Sequence, residues 1–129
     1  MASEKLTVLV VDDEPDVCTY LSTLLQDNGY DTVVAKDGAQ ALEEVKKSTP
    51  DLITLDVTMP EKSGVKFYRE IKESPAWSKI PVVMVTGVSN DFEHFISTRR
   101  QVPPPEGYLH KPVDRGQILA LAKKLTARP

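Results

Sequence analysis

Five polar side chains in this sequence each follow a short apolar run. Asp12 and Asp13 follow Leu6–Val11, Asp56 follows Leu52–Leu55, Thr86 follows Pro81–Val85 and Lys111 follows Tyr108–His110. Their types suit one kind of chemistry. Crowded carboxylates repel unless a cation is present or one of them is protonated. With only oxygen ligands on offer, a hard ion such as Mg²⁺ is the natural partner, keeping several waters. A carboxylate beside Mg²⁺ and a lysine is equipped to receive a phosphoryl group, because metal and ammonium offset charge on the transferring oxygens.

That chemistry needs a scaffold that brings all five positions to one rim. Leu6–Val11 is β-branched and almost continuously apolar, as a strand buried on both faces should be. Pro15 suits a first helical position, and Val17, Leu21, Leu24 and Leu25 keep helical spacing until Asn28-Gly29. Thr32–Ala35 reads as a second strand, and Asp37 caps a helix carrying Ala41, Leu42 and Val45 that stops at Ser48-Thr49-Pro50. Leu52–Leu55 is strand three, and a Met59-Pro60 turn leads to a helix with Val65, Tyr68 and Ile71. Pro81–Val85 is strand four, followed by a helix opened by the Asn90/Glu93 capping-box spacing before Phe92, Phe95 and Ile96. Tyr108–His110 is strand five, and Asp114 with Gln117 opens a last helix through Ile118, Leu119, Ala122 and Leu125.

Five βα units in strict alternation predict an α/β fold: a doubly wound parallel sheet with right-handed crossovers and helices on both faces. In such a sheet ligands gather at the carboxyl ends of the strands, where the five polar residues fall. The 129 residues read as a single domain, 1–129 with a core of about 5–126, leaving no room for an output domain. Val102-Pro103-Pro104-Pro105 is a stiff connector rather than a linker.

Composition excludes several functions. A net charge of −3 argues against nucleic-acid binding, which depends on neutralising phosphates. With Cys18 alone there is no intrachain disulfide and no cysteine zinc site. No apolar run reaches the length of a membrane span and the first residues lack a signal-peptide core, so a cytoplasmic protein is expected. Nor is there a glycine-rich nucleotide-phosphate loop.

Four segments then match one family in order: Val10-Val11-Asp12-Asp13-Glu14-Pro15, Leu55-Asp56-Val57-Thr58-Met59-Pro60, Val85-Thr86-Gly87 and Tyr108-Leu109-His110-Lys111-Pro112. The chain resembles a receiver domain of the bacterial two-component response regulators, of the chemotaxis-receiver kind. The resemblance implies a flavodoxin-like (βα)5 sandwich with strand order 2-1-3-4-5. It implies that Asp56 is the phospho-acceptor, that Asp13, Asp56 and the Thr58 carbonyl hold Mg²⁺, and that Asp12 acts largely through water. Lys111 would contact the phosphoryl oxygens, with a cis bond to Pro112. Thr86 would move toward the phosphoryl group, with Tyr108 changing rotamer. The phosphoryl source would be a sensor histidine kinase or a histidine phosphotransfer protein. An output partner would meet the face of the fourth helix, fifth strand and fifth helix. Beyond self-catalysed transfer and loss, no enzyme activity is expected.

Each residue also has a plainer reading. Asp12 and Asp13 suit a helix N-terminus, Thr86 a strand end and Tyr108 an edge strand. Cys18 reads as an inert helix residue, His94 and His110 as surface or packing residues, and Glu43–Lys47 as a solvated ion pair. Two other functions compete: a pseudo-receiver, against which Asp13, Asp56 and Lys111 weigh, and an aspartyl-phosphate phosphatase. For phosphatases resembling the haloacid dehalogenase group a second Asp is needed where Thr58 stands. The sequence departs from the receiver pattern at Lys62-Ser63, with Gly64 kept, and at Gln101–Glu106. Thr58 and Val88, at positions that tune phosphoryl loss in the family, offer neither a carboxylate nor an amide, so slow loss is expected.

Overall fold

Strand alternation sorts the apolar residues of each run to the two faces of a sheet. The computed structural model describes residues 6–56, 63–86 and 105–127. Its strands are β1 (Thr7–Val11), β2 (Asp31–Ala35), β3 (Leu52–Asp56), β4 (Val82–Thr86) and β5 (Gly107–His110). Between and after them run α1 (Pro15–Asp27), α2 (Gly38–Lys47), α3 (Ser63–Glu73) and the C-terminal helix α4 (Arg115–Leu125), the fifth helix of the sequence reading. All pairings are parallel, in the order β2-β1-β3-β4-β5. The expected flavodoxin-like order is thus observed.

Two cores flank the sheet. Leu9, Val11, Ile53, Leu55 and Met84 face α2 and α3 through Ala41, Val45, Phe67, Tyr68 and Ile71. Val8, Val10, Leu52, Val83 and Val85 face α1 and α4 through Leu21, Leu25, Ile118 and Ala122. Each Val, Leu, Ile, Phe or Met among them contributes about 1.5–3 kcal/mol by leaving water. Helix starts follow the sequence signals: Asp37 accepts from the Gln40 N–H at 2.8 Å and Asp114 from the Gln117 N–H at 2.9 Å. Gly29, at φ +94°, ends the chain reversal after α1 in a conformation that L side chains disfavour.

Two details differ from expectation, and a third was not anticipated. Asp56 and Thr86 are the last residues of β3 and β4, not the first residues beyond them. Lys47 pairs with Glu44 at 3.8 Å rather than with Glu43, one turn geometry replacing another on an exposed face. The third is the most consequential. Lys72 continues the apolar stripe of α3 after Phe67, Tyr68 and Ile71, and its ammonium is buried, with its side chain 2% exposed. It donates to both Glu106 oxygens at 3.1 Å and to the carbonyls of Ser78 and Ile80 at 3.4 and 3.2 Å. Glu106 also accepts the Val82 N–H at 2.8 Å, so this ion pair ties the end of α3 to the entry of β4 and β5.

Among the described residues, no helix is long and apolar enough to cross a membrane. The helix opened at Asn90, with His94, Arg99 and Arg100, lies outside the described residues, as do Thr58, the Met59-Pro60 turn, Lys62, Gly87, Val88, Pro103 and Pro104.

Candidate functional site

The register of the sheet sets the site. Val11 is level with Leu55, Asp56 with Val85, and Thr86 with His110. Asp12 therefore leaves β1 one step beyond Val11 and beside Asp56, while Thr86 and Lys111 extend the same rim toward β5. Asp12, Asp56 and Thr86 are each no more than 2% exposed, whereas Asp13 and Glu14 are exposed. Carboxylate oxygens of Asp12, Asp13, Glu14 and Asp56 all lie within 4.8 Å of one another.

Local hydrogen bonds fix the buried members. The Asp12 N–H donates to the Ala35 carbonyl at 3.0 Å, continuing the β1–β2 ladder by one residue. Asp12 Oδ1 accepts the Glu14 N–H at 2.9 Å, turning the chain into α1. That leaves Asp12 Oδ2 for the Lys111 ammonium, 3.1 Å away. The Lys111 Nζ also lies 3.3 Å from Asp56 Oδ2 and 2.6 Å from Glu14 Oε1. The Lys111 backbone N–H donates to the Thr86 carbonyl at 2.9 Å, and the Lys111–Pro112 peptide bond is cis. Cys18 is buried behind the rim, its thiol donating to the Asp12 carbonyl at 3.2 Å.

The electrostatics follow from this crowding. Burial, reinforced by the charge of Asp56 and only partly offset by the Glu14 N–H and Lys111, pushes the Asp12 carboxyl up to about 6. Burial alone would lower the Lys111 ammonium; bonds to Glu14 and Asp12 and the charge of Asp56 overcome it and hold the group above its ordinary value. Four carboxylates against this ammonium leave a negative, oxygen-only donor set. Such a set fits a hard divalent cation.

The structure brings together Asp12, Asp13, Asp56 and Lys111, with Thr86 at the next strand end. Tyr108 is half-buried two residues before His110, packed against the core on the α2–α3 side. Thr58 lies outside the described residues. Sequence reasoning missed the part played by Glu14, which it passed over as the third acid of the run Asp12-Asp13-Glu14, and the Lys72–Glu106 pair. A lysine standing on the stripe of Phe67, Tyr68 and Ile71 was the available signal for the latter.

Comparison with known proteins agrees with this geometry. The response regulator receiver domain family matches residues 8–123. The chain is 34% identical over 120 residues to protein Rrf1 of Nitratidesulfovibrio vulgaris, covering 93% of this chain and 82% of the relative. It is 30% identical to the alkaline phosphatase synthesis transcriptional regulatory protein PhoP of Bacillus subtilis, covering 94% of this chain and 48% of that longer protein. A solved structure of a response regulator from Chloroflexus aurantiacus superposes with a TM-score of 0.84 at 27% identity, covering 97% of this chain and all of that one. The fold and acidic rim define a signalling receiver of the two-component class. The chain belongs to the response regulator receiver domain family.

Proposed function

We propose that this receiver takes a phosphoryl group onto Asp56 from a sensor histidine kinase or histidine phosphotransfer protein, with Mg²⁺, and then engages an output partner. The observation that carries the reading is the Lys111 ammonium held between two buried carboxylates, 3.1 Å from Asp12 and 3.3 Å from Asp56. An Asp56 oxygen attacks phosphorus as the bond from phosphorus to the donor breaks, and the donor leaves with that electron pair. Lys111 offers its N–H groups to the phosphoryl oxygens, and Thr86 at the end of β4 donates its hydroxyl to them. Asp13 and Asp56, with the Thr58 carbonyl, would hold Mg²⁺ and Asp12 would reach it through water. When bound, Mg²⁺ offsets negative charge on the transferring oxygens. Tyr108 changes rotamer with the Thr86 movement, and the partner docks on the face to which β5 and the C-terminal helix α4 belong. The chain works in the cytoplasm as a phospho-acceptor module, not as an enzyme acting on a separate substrate.

Incubation with acetyl phosphate and Mg²⁺, followed by intact-mass measurement, tests the reading. The parent should gain one phosphoryl mass, EDTA should suppress the gain, and Asp56→Asn should abolish it. A parent that never gains mass from any phosphoryl donor would mark a pseudo-receiver. Continuous release of phosphate in excess of protein, at enzymatic turnover, would mark a phosphatase.

A further inference from the structure

The shortest contact of the Lys111 ammonium is not with the acceptor. It runs to Glu14, at 2.6 Å, rather than to Asp12 or Asp56 at 3.1 and 3.3 Å. Glu14 stands at the N-cap of α1, where a short polar side chain ordinarily accepts a backbone N–H of the first turn. Its side chain makes no such bond; the first turn is closed instead by its carbonyl, which accepts from the Val17 and Cys18 N–H groups at 3.1 Å. The carboxylate is thus free of helix capping and engaged with Lys111.

We propose that Glu14 is a positioning residue that competes with the phosphoryl group for Lys111, so that it restrains phosphorylation of Asp56. This inference rests on Asp56 as the acceptor. The competition follows from donor counting. An ammonium has three N–H donors, and in this structure they face Asp12, Glu14 and Asp56. Phosphoryl oxygens arriving on Asp56 need at least one of them. The Asp12 and Asp56 contacts, together with the Lys111 N–H bonded to Thr86, keep the lysine in place without Glu14. Glu14 is therefore the partner that can be given up, and its removal frees a donor without losing the lysine. Its charge also opposes the anionic donor, since its oxygen lies within 4.8 Å of those of Asp12, Asp13 and Asp56. Glu14 is 60% exposed, so water screens both effects and confines them to a few-fold.

The test is the rate of labelling by acetyl phosphate, followed by intact mass. In this step an Asp56 oxygen bonds to phosphorus while the acetyl O–P bond breaks; acetate leaves with the electron pair, and no proton is taken up. Mg²⁺ is brought to saturation separately for each variant, because removing an acid weakens its attraction. At low ionic strength Glu14→Gln should label about threefold faster than the parent, a size set by an exposed ion pair. Glu14→Asp, with the charge kept on a shorter stem, should fall between them. Glu43→Gln, which removes the same charge from an exposed site on α2, should match the parent. High salt should shrink the Glu14→Gln advantage, which a purely structural role would not do. Equal or slower labelling of Glu14→Gln, or an advantage indifferent to salt, overturns the proposal while leaving the Asp56 reading intact. A parent that takes no label overturns both.

Discussion

Glu106→Ala is expected to lower the free energy of unfolding by about 3 kcal/mol, while Lys72→Met should cost less than about 1 kcal/mol. The asymmetry comes from exposure. The Lys72 side chain is 2% exposed and that of Glu106 is 35% exposed. Without Glu106 the buried ammonium keeps, among the described residues, the Ser78 and Ile80 carbonyls and the Tyr68 ring, 5.8 Å away, while Val82 loses the carboxylate that accepts its N–H. An uncompensated buried charge is the costly outcome. Without the lysine charge, Glu106 can turn to water and still accept from Val82, and methionine refills the slot. Urea unfolding of the two variants and the parent measures the difference. For a domain of this size the Glu106→Ala loss corresponds to roughly 10 °C in Tm. A Lys72→Met variant less stable than Glu106→Ala would contradict the account.

The second large effect concerns pH. In metal-free protein, the stability gained by Asp12→Asn over the parent should grow by about 2 kcal/mol between pH 4 and pH 7. The Asp12 carboxyl is pushed up to about 6 in the folded chain, chiefly by burial, from 3.8. The native state therefore holds a proton that the unfolded state has released. Its stabilising contribution is fully present below the unfolded value and is lost as pH rises through about 6. Asn cannot titrate, so the difference between the two proteins reports the loss of this carboxyl together with its coupling to the charged neighbours. Urea unfolding in EDTA at several pH values provides the curve. Mg²⁺ should flatten it, because a cation at this rim favours the ionised carboxylate. A gap that shrinks as pH rises would reverse the sign and refute the assignment.

What the sequence shows of this structure is unequal across its parts. The strands are legible because Leu6–Val11, Leu52–Leu55 and Pro81–Val85 are too short and too apolar for anything but a buried parallel sheet, and once five of them alternate with helices the topology is nearly forced. The rim follows directly: Asp12, Asp56, Thr86 and Lys111 are placed by counting from apolar runs. Glu14 is not legible in this way. Three consecutive acids look alike in a sequence, and that Glu14 joins Asp12 on Lys111 depends on the path of the chain as it enters α1. The Lys72–Glu106 pair fails for another reason. A lysine beside an apolar stripe ordinarily extends its stem and keeps its charge in water. Only a carboxylate 34 residues further on, together with the carbonyls at 78 and 80, closes over it. No local pattern carries that information.

The pairing of β1, β3 and β4 also makes this protein sensitive to arithmetic. Leu55 faces one core and Asp56 leaves the opposite side of the same strand, so adding or removing a single residue within 52–55 would exchange the two. The sheet could then regain its hydrogen bonds only by turning a carboxylate into the apolar layer and a leucine onto the rim. A two-residue change would restore the sides but carry Asp56 past Asp12 and beyond reach of Lys111. Chain length between the strands carries no such parity, except where a turn also holds a buried group, as the carbonyls at 78 and 80 hold Lys72. The same protein is thus a tolerant string in its turns and a graduated scale along its strands, and natural variation in length should collect where nothing is being measured.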